Sequence, residues 1–252
     1  MLDDVFDLAF LAGFVAASVI RAYWLKRTPH WWRRRDKVAD DRERKQDRPL
    51  MLLVTLGMIV VPFLYLFTTR LDFADYSLPA TASLVAGSLG AALFVQALWL
   101  LWRSHADLAG SFSPGLQIKK NHTLVTSGVY EQIRHPMYAA HLLWAVAQLL
   151  LLQNWIAGPA FLVASIPLYV ARIPREEEMI EGEFGEEYRR YAERTGRVVP
   201  WIEKFLAPDR RGRRSRGKAR PARKSGDIRR RGDRDEGEAG LQDSGKRRKI
   251  KG

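Results

Sequence analysis

The chain has 252 residues with 41 Lys/Arg against 28 Asp/Glu, which gives a formal net charge of +13 at pH 7. It contains no cysteine, which excludes disulfide bonds, thiolate metal sites and a cysteine nucleophile. Much of the charge lies in the tail, because Pro208–Gly252 holds 18 Lys/Arg and 7 Asp/Glu. The mean hydropathy of −0.23 therefore averages an apolar region with a very polar tail, and it does not indicate a soluble protein.

Three long apolar segments occupy residues 5–25, 50–69 and 77–102. Each is close to the roughly 20 residues that a membrane-spanning helix needs. The first has an acidic start and no small-residue cleavage site, which favours a spanning helix over a secretory signal peptide. In the third, Gly87 and Gly90 share one face, where small residues let helices pack closely.

A fourth apolar stretch runs from Pro136 to Ala171 without a formal charge, which is too long for one span. Gln153-Asn154 and Gly158-Pro159 interrupt it, and this break predicts a tight helical hairpin.

The chain turns amphipathic after Pro174. Three glutamates at 176–178 are typical of a helix N-terminus, so we expect a new helix to begin here. An apolar stripe at helical spacing follows, formed by Ile180, Phe184, Tyr188 and Tyr191, with Gly196 as a stop. From Pro208 the composition predicts disorder.

The sequence thus predicts an all-α integral membrane protein with about five transmembrane helices. The last two helices form the hairpin, followed by a C-terminal amphipathic helix and a disordered basic tail. We divide the chain into an N-terminal three-helix membrane region (1–102), a catalytic region (103–207) and the tail (208–252). Residues 26–48 carry ten Lys/Arg against five acids, so the positive-inside rule places this loop in the cytoplasm. The same alternation places the polar segment at 103–135 and the C-terminus on the cytoplasmic side.

The polar segment between the third and fourth apolar stretches is the candidate site. It contains His122-Thr-Leu-Val-Thr-Ser-Gly-Val-Tyr130, followed closely by Arg134-His-Pro-Met-Tyr138. Pro136 suits the first position of a helix, which puts His135 at or near the N-cap. The backbone N–H groups at such a helix start form a natural anion site.

These motifs, together with Arg172-x-x-x-Glu176-Glu177, resemble the isoprenylcysteine carboxyl methyltransferase family, which belongs to a wider membrane group that includes phospholipid methyltransferases. The resemblance covers roughly residues 103–202. It implies methyl transfer from S-adenosylmethionine by a membrane-embedded fold that is not of the Rossmann type.

The resemblance also implies roles for individual residues. Arg172 would bind the substrate and, with Glu176, form the catalytic pair. The cofactor would be held by Gln117, His122, Thr123, Leu124, Val125, Tyr130, His135, Pro136, Met137, Tyr138 and Glu176.

Physical arguments support these assignments. The planar guanidinium of Arg172 can donate two parallel hydrogen bonds to a carboxylate. Glu176 can accept hydrogen bonds from the cofactor's ammonium, and Tyr130 or Tyr138 can face its sulfonium. A carboxylate nucleophile needs no general base, because it is ionised at neutral pH. In the less specific interpretation, Arg172 marks the end of a span and Glu176 belongs to a helix N-terminus.

Two other functions stay open at this stage. A phospholipid amine methyltransferase would need a base beside the sulfonium, for which Glu177 or His135 is available. Alternatively, the chain could be a membrane-anchored protein that binds polyanions or a partner through its tail. The tail has no aromatic residue, so specific nucleic-acid binding is improbable and contact with anionic lipid is the better expectation. No residue spacing suggests a metal site, and the expected partners are membrane lipid and a lipophilic carboxylate or prenylated substrate.

The predicted topology can be tested with reporter fusions. Fusions after Glu43, Asp75 and Lys218 should read cytoplasmic, external and cytoplasmic, because of the Lys/Arg asymmetry. An external signal at Lys218 would contradict the five-span topology.

Overall fold

The computed structural model describes residues 2–27, 40–108 and 124–200. The chain divides into two units, Met1–Pro208 and Asp209–Gly252, and every described residue belongs to the first. The predicted disordered tail therefore lies outside the described residues. Within the described ranges the structure is helical, with isolated bridges in place of β-strands.

The described residues form seven α-helices and three short turns of other helix types. The α-helices are α1 (Leu2–Arg27), α2 (Asp40–Thr55), α3 (Val61–Phe67), α4 (Ala80–Leu108), α5 (Pro136–Leu151), α6 (Ala160–Phe184) and α7 (Glu186–Arg194). A π-helical turn at Leu56–Val60 connects α2 directly to α3, and 3-10 turns occupy Thr69–Ala74 and Gly128–Glu131.

Three helical segments are long and apolar enough to cross a membrane: Asp4–Arg27, Asp47–Phe67 and Ala80–Leu108. They coincide with the three apolar segments predicted from the sequence. Helix α5 is apolar but has 16 residues, about 24 Å of helix, which is short of a hydrocarbon core about 30 Å thick. The predicted count of about five spans therefore stays a prediction.

Close packing of the apolar helices depends on the two glycines of α4. The aromatic ring of Phe6 lies where a Cβ of Gly87 would be, and Leu150 and Leu151 lie 3.0 Å from the corresponding point at Gly90. Because Gly87 has no side chain, α1 can pack closely on α4. The lack of a side chain at Gly90 lets α5 pack closely on the same helix. The predicted role of these small residues is confirmed.

The predicted interruption of the fourth apolar stretch is also present, because α5 ends at Leu151 and α6 begins at Ala160. The Asn154 side chain fixes the intervening turn. It donates to Leu71 O (2.8 Å) and Asp75 Oδ1 (2.7 Å), and its oxygen accepts from the backbone N–H groups of Ile156 and Ala157. Polar side chains therefore satisfy backbone groups that the helix ends would leave unpaired.

The prediction that a new helix begins after Pro174 is wrong. Helix α6 continues through Pro167 and Pro174 to Phe184, so the glutamates at 176–178 lie within it. A proline removes one backbone hydrogen bond and bends a helix, but it need not end one where tertiary packing holds both halves. The expected continuous amphipathic stripe is interrupted instead at Gly185, where φ is +52°, and Tyr188 and Tyr191 belong to α7.

A smaller correction concerns the third span. Helix α4 continues past Trp102 to Leu108, so the boundary drawn between residues 102 and 103 falls inside a helix. The hydroxyl of Ser104 donates to Leu100 O at 2.6 Å, which satisfies this polar group inside the extended helix.

The packing at Gly87 can be tested by substitution. We expect Gly87→Ala to lower stability by about 1–3 kcal/mol, because the new methyl group overlaps the Phe6 ring. Gly182→Ala in α6 is the matched control, since no described residue outside its own helical turns lies within 4 Å of the point that its new Cβ would occupy. That control should leave stability unchanged or raise it by up to about 1 kcal/mol. Thermal unfolding in detergent measures both, and equal melting temperatures for Gly87→Ala and the wild type would contradict this packing.

Candidate functional site

The loop before α5 is held against the C-terminal end of α4. Asp107 Oδ2 accepts the backbone N–H of Val129 at 2.9 Å, while Oδ1 pairs with Arg103 at 2.6 Å. Gly128 has φ +65°, and a Cβ there would collide with the Asp107 carboxylate. This position therefore needs glycine both for its conformation and for the close approach.

The start of α5 has the predicted geometry, with His135 as N-cap and Pro136 at the first helical position. The backbone N–H groups of Arg134 and His135 donate to Gly196 O (2.8 Å) and Arg197 O (2.9 Å). The segment after α7 therefore holds the approach to α5 in place. The N-cap residue His135 makes no side-chain capping bond, which leaves the first-turn N–H groups of α5 as donors for a ligand.

The Glu176 carboxylate joins α6 to the start of α5. Its Oε1 accepts hydrogen bonds from the Tyr138 hydroxyl (2.6 Å) and from Arg172 Nε (2.7 Å). Its other oxygen, Oε2, lies 3.7 Å from His135 Nδ1. The structure thus brings together four predicted site residues: His135, Tyr138, Arg172 and Glu176.

This cluster keeps hydrogen-bonding capacity for a ligand. Arg172 is engaged through Nε, and no described residue accepts from its two terminal amino groups. Glu176 is engaged mainly through Oε1. The side chains of Arg172 and Glu176 are each 16% exposed, so the pair is largely desolvated yet accessible.

The neighbouring carboxylate, Glu177, is fully engaged by cations. Its Oε1 accepts from Arg134 Nε (2.9 Å) and lies 3.3 Å from His135 Nε2, and its Oε2 accepts from Arg197 Nε (2.9 Å). Arg134 also donates to the backbone carbonyls of Ala192 and Thr195. Glu177 therefore ties the loop before α5 to α6 and to the segment after α7.

These contacts keep Glu177 ionised. Burial alone would raise the pKa of its carboxyl, but hydrogen bonds from His135 and Arg134 and the charges of Arg134 and Arg197 lower that pKa to about 2. A carboxylate with so low a pKa is a poor proton acceptor at neutral pH.

Tyr130 hydrogen-bonds to residues outside the four-residue cluster. Its hydroxyl donates to Ser104 O (3.2 Å), and its own carbonyl accepts the Tyr191 hydroxyl at 2.6 Å. Burial raises the pKa of both phenols, to about 12 for Tyr191, so both stay protonated donors. The ring of Tyr138, by contrast, belongs to the cluster and packs edge-on against Tyr169, with ring centroids 5.0 Å apart.

The remaining predicted site residues are placed as follows. Pro136 and Met137 form the first turn of α5, and Leu124 and Val125 are half-buried at the start of the loop that leads to Tyr130. Gln117, His122 and Thr123 lie outside the described residues. In the part of the chain that the structure describes, no group of His, Asp and Glu residues has the arrangement of a metal site.

Sequence reasoning missed several residues that hold the site. Arg134 lies in the motif at residues 134–138, but no role was predicted for it. Asp107 and Arg197 carried no signal because the residues through which they hold the site, Val129 and Glu177, are 22 and 20 residues away. Asp47, which pairs with Arg175 beside Glu176, was counted as part of a charged loop.

The charge of Glu177 predicts a defined pH dependence. A folded-state pKa below the ordinary value of 4.5 means that the ionised group stabilises the fold above about pH 4.5. This contribution is lost as the pH falls from there towards 2. We expect Glu177→Gln to lower the melting temperature by about 3–10 °C at neutral pH, and the difference from wild type to narrow only below about pH 4.5. If the difference in melting temperature between wild type and Glu177→Gln stays constant down to about pH 3, the charge of Glu177 does not cause that difference.

Residues 89–181 match the model of the isoprenylcysteine carboxyl methyltransferase family. Protein-S-isoprenylcysteine O-methyltransferase B of Arabidopsis thaliana is 38% identical over 94 residues, which are 36% of this chain and 48% of that protein. The corresponding proteins of Tribolium castaneum and Homo sapiens are each 37% identical, over 38% of this chain and 36% and 34% of their own lengths.

The matches thus span about half or less of these relatives. Among solved structures, a eukaryotic intramembrane Ras methyltransferase aligns with a TM-score of 0.35 at 20% identity, covering 78% of this chain and 63% of that one. The resemblance found in the sequence motifs is confirmed by the family model and the named relatives. Residues 89–181 of this chain are thus similar to the isoprenylcysteine carboxyl methyltransferase family.

Proposed function

We propose that this chain is an integral-membrane, S-adenosylmethionine-dependent methyltransferase that methylates the carboxylate of a lipophilic, isoprenylcysteine-like substrate. The relatives named above are protein-S-isoprenylcysteine O-methyltransferases, which supports the reaction class. The observation that carries the proposal is the cluster of Arg172, Glu176 and Tyr138 at the start of α5.

The described residues offer groups that fit the amino-acid part and the sulfonium of the cofactor. Glu176 Oε2 can accept hydrogen bonds from its α-ammonium, and the first-turn N–H groups of Met137 and Tyr138 can donate to its α-carboxylate. The Tyr138 ring can face its sulfonium. When bound, S-adenosylmethionine supplies an electrophilic methyl group. His135, Pro136, Leu124, Val125 and Tyr130 complete the proposed cofactor site, with Gln117, His122 and Thr123 added from the family resemblance.

Arg172 binds the substrate in this proposal. Its terminal amino groups can hold a carboxylate in a planar fork while Nε stays bonded to Glu176. That bond fixes the guanidinium beside the cofactor acceptor, so the two reactants are aligned for in-line displacement. The chain then has to position groups and exclude water, and it moves no proton.

The state of Glu177 favours this reaction over methylation of a phospholipid amine. An ammonium group must lose a proton before it can attack, and Glu177, with its pKa of about 2, is poorly suited to accept it. The amine alternative then depends on His135 as its base. The third alternative, binding of a polyanion or partner through the tail, concerns residues outside the described ranges.

We also propose that the catalytic face and the C-terminus are cytoplasmic, from the Lys/Arg distribution. The tail could then contact anionic lipid of the cytoplasmic leaflet, at about 1 kcal/mol per nearby Lys or Arg.

Substitutions at the central pair separate cofactor binding from substrate binding. Glu176→Gln should weaken S-adenosylmethionine binding about tenfold or more, because a charge-assisted hydrogen bond contributes about 1.5–3 kcal/mol. Arg172→Lys keeps the positive charge but loses the planar pair of hydrogen-bond donors. Cofactor affinity should therefore stay unchanged while turnover of an isoprenylcysteine analogue falls. Arg172→Ala should lower turnover further. Calorimetric titration and steady-state kinetics measure the two effects.

Glu181→Gln is the matched control, because Glu181 lies on the same helix in an exposed ion pair with Arg189. It should leave both measurements unchanged. Cofactor affinity equal to wild type in Glu176→Gln would remove Glu176 from the site.

A further inference from the structure

An ion pair joins α2 to α6 directly beside the candidate site. Asp47 Oδ1 lies 3.0 Å from the terminal amino group of Arg175, the residue that precedes Glu176. Arg175 Nε also donates to Ala171 O at 2.7 Å, so its guanidinium is held at two points. Helices α2 and α6 pack against each other in this region.

Asp47 is unusually buried for a carboxylate, with 7% of its surface exposed. Aspartate is almost never buried to this degree without a cationic partner, because desolvation penalises the charge. The carboxylate is therefore paired with Arg175, and its charge also acts on Arg172 of the proposed site.

The position of this ion pair matters because α6 is weakened immediately before it. Pro174 has no backbone N–H and cannot bond to the carbonyl of Val170, so the helix lacks one hydrogen bond at this turn. Residues 175–177, which carry both site carboxylates, follow directly. Without an external restraint, a proline turn lets the two halves of a helix change their relative angle.

We propose that Asp47 is a positioning residue for the methyltransferase site: its ion pair with Arg175 fixes the part of α6 after Pro174 and thereby holds Glu176 against Arg172 and Tyr138. The inference rests on the proposed function. It also extends the site beyond residues 89–181, because Asp47 lies on a helix that precedes the family match.

Asp47→Asn tests this without changing the size of the side chain. In the purified 252-residue chain, we expect the dissociation constant for S-adenosylmethionine to rise about threefold to tenfold, which lies within the range for residues that couple through one ion-pair network. Arg175→Gln should give the same loss, and the double variant should be no worse than either single one. Exchanging the charges, Asp47→Arg with Arg175→Asp, should restore part of the affinity.

Glu181→Gln again serves as the control, since it removes an exposed ion pair from the same helix. If Asp47→Asn and Arg175→Gln lower the melting temperature but bind the cofactor as tightly as wild type, the pair is merely structural and the inference is wrong. Additive losses in the double variant would overturn it as well. Failure of the wild type to bind S-adenosylmethionine would instead contradict the proposed function, so the two failures are distinguishable.

Discussion

The hydrogen bonds between two adjacent glutamates of α6 and the start of α5 hold this site together. Glu176 and Glu177 are neighbours in the chain, yet they face different partners. Glu176 accepts hydrogen bonds from Tyr138 and Arg172 through one oxygen, and its other oxygen can accept from a ligand. Both oxygens of Glu177 accept hydrogen bonds from arginines, Arg134 and Arg197. One carboxylate therefore belongs to the proposed chemistry, and the other fixes the loop that presents it.

The ion pairs around the site also offset the cost of placing charged groups beside apolar helices. Charged groups next to apolar, membrane-compatible helices are costly unless each is paired and hydrogen-bonded. Glu177 and Asp47 meet that requirement through arginines from other segments of the chain. Because each pair joins segments far apart in sequence, the pairing that offsets desolvation also sets the relative positions of α2, α5 and α6.

Local rules predicted the parts of the structure that depend on local chemistry. Pro136 at the first helical position, the break after Leu151 and the packing at Gly87 follow from proline geometry, turn residues and small side chains. The continuation of α6 through Pro174 did not follow, because a proline ends a helix only when packing fails to support it. Sequence alone also missed Asp47, since its role depends on a partner 128 residues away.

In the proposed reaction a carboxylate receives the methyl group. The most direct measurement is to incubate membranes containing the full-length chain with methyl-labelled S-adenosylmethionine and an isoprenylcysteine analogue, and then to treat the product with base. Methyl esters release methanol under base and methylated amines do not. We expect label in the analogue, and we expect base to release that label as methanol. Label that appears in lipid amines and resists base, with none in the analogue, would contradict it.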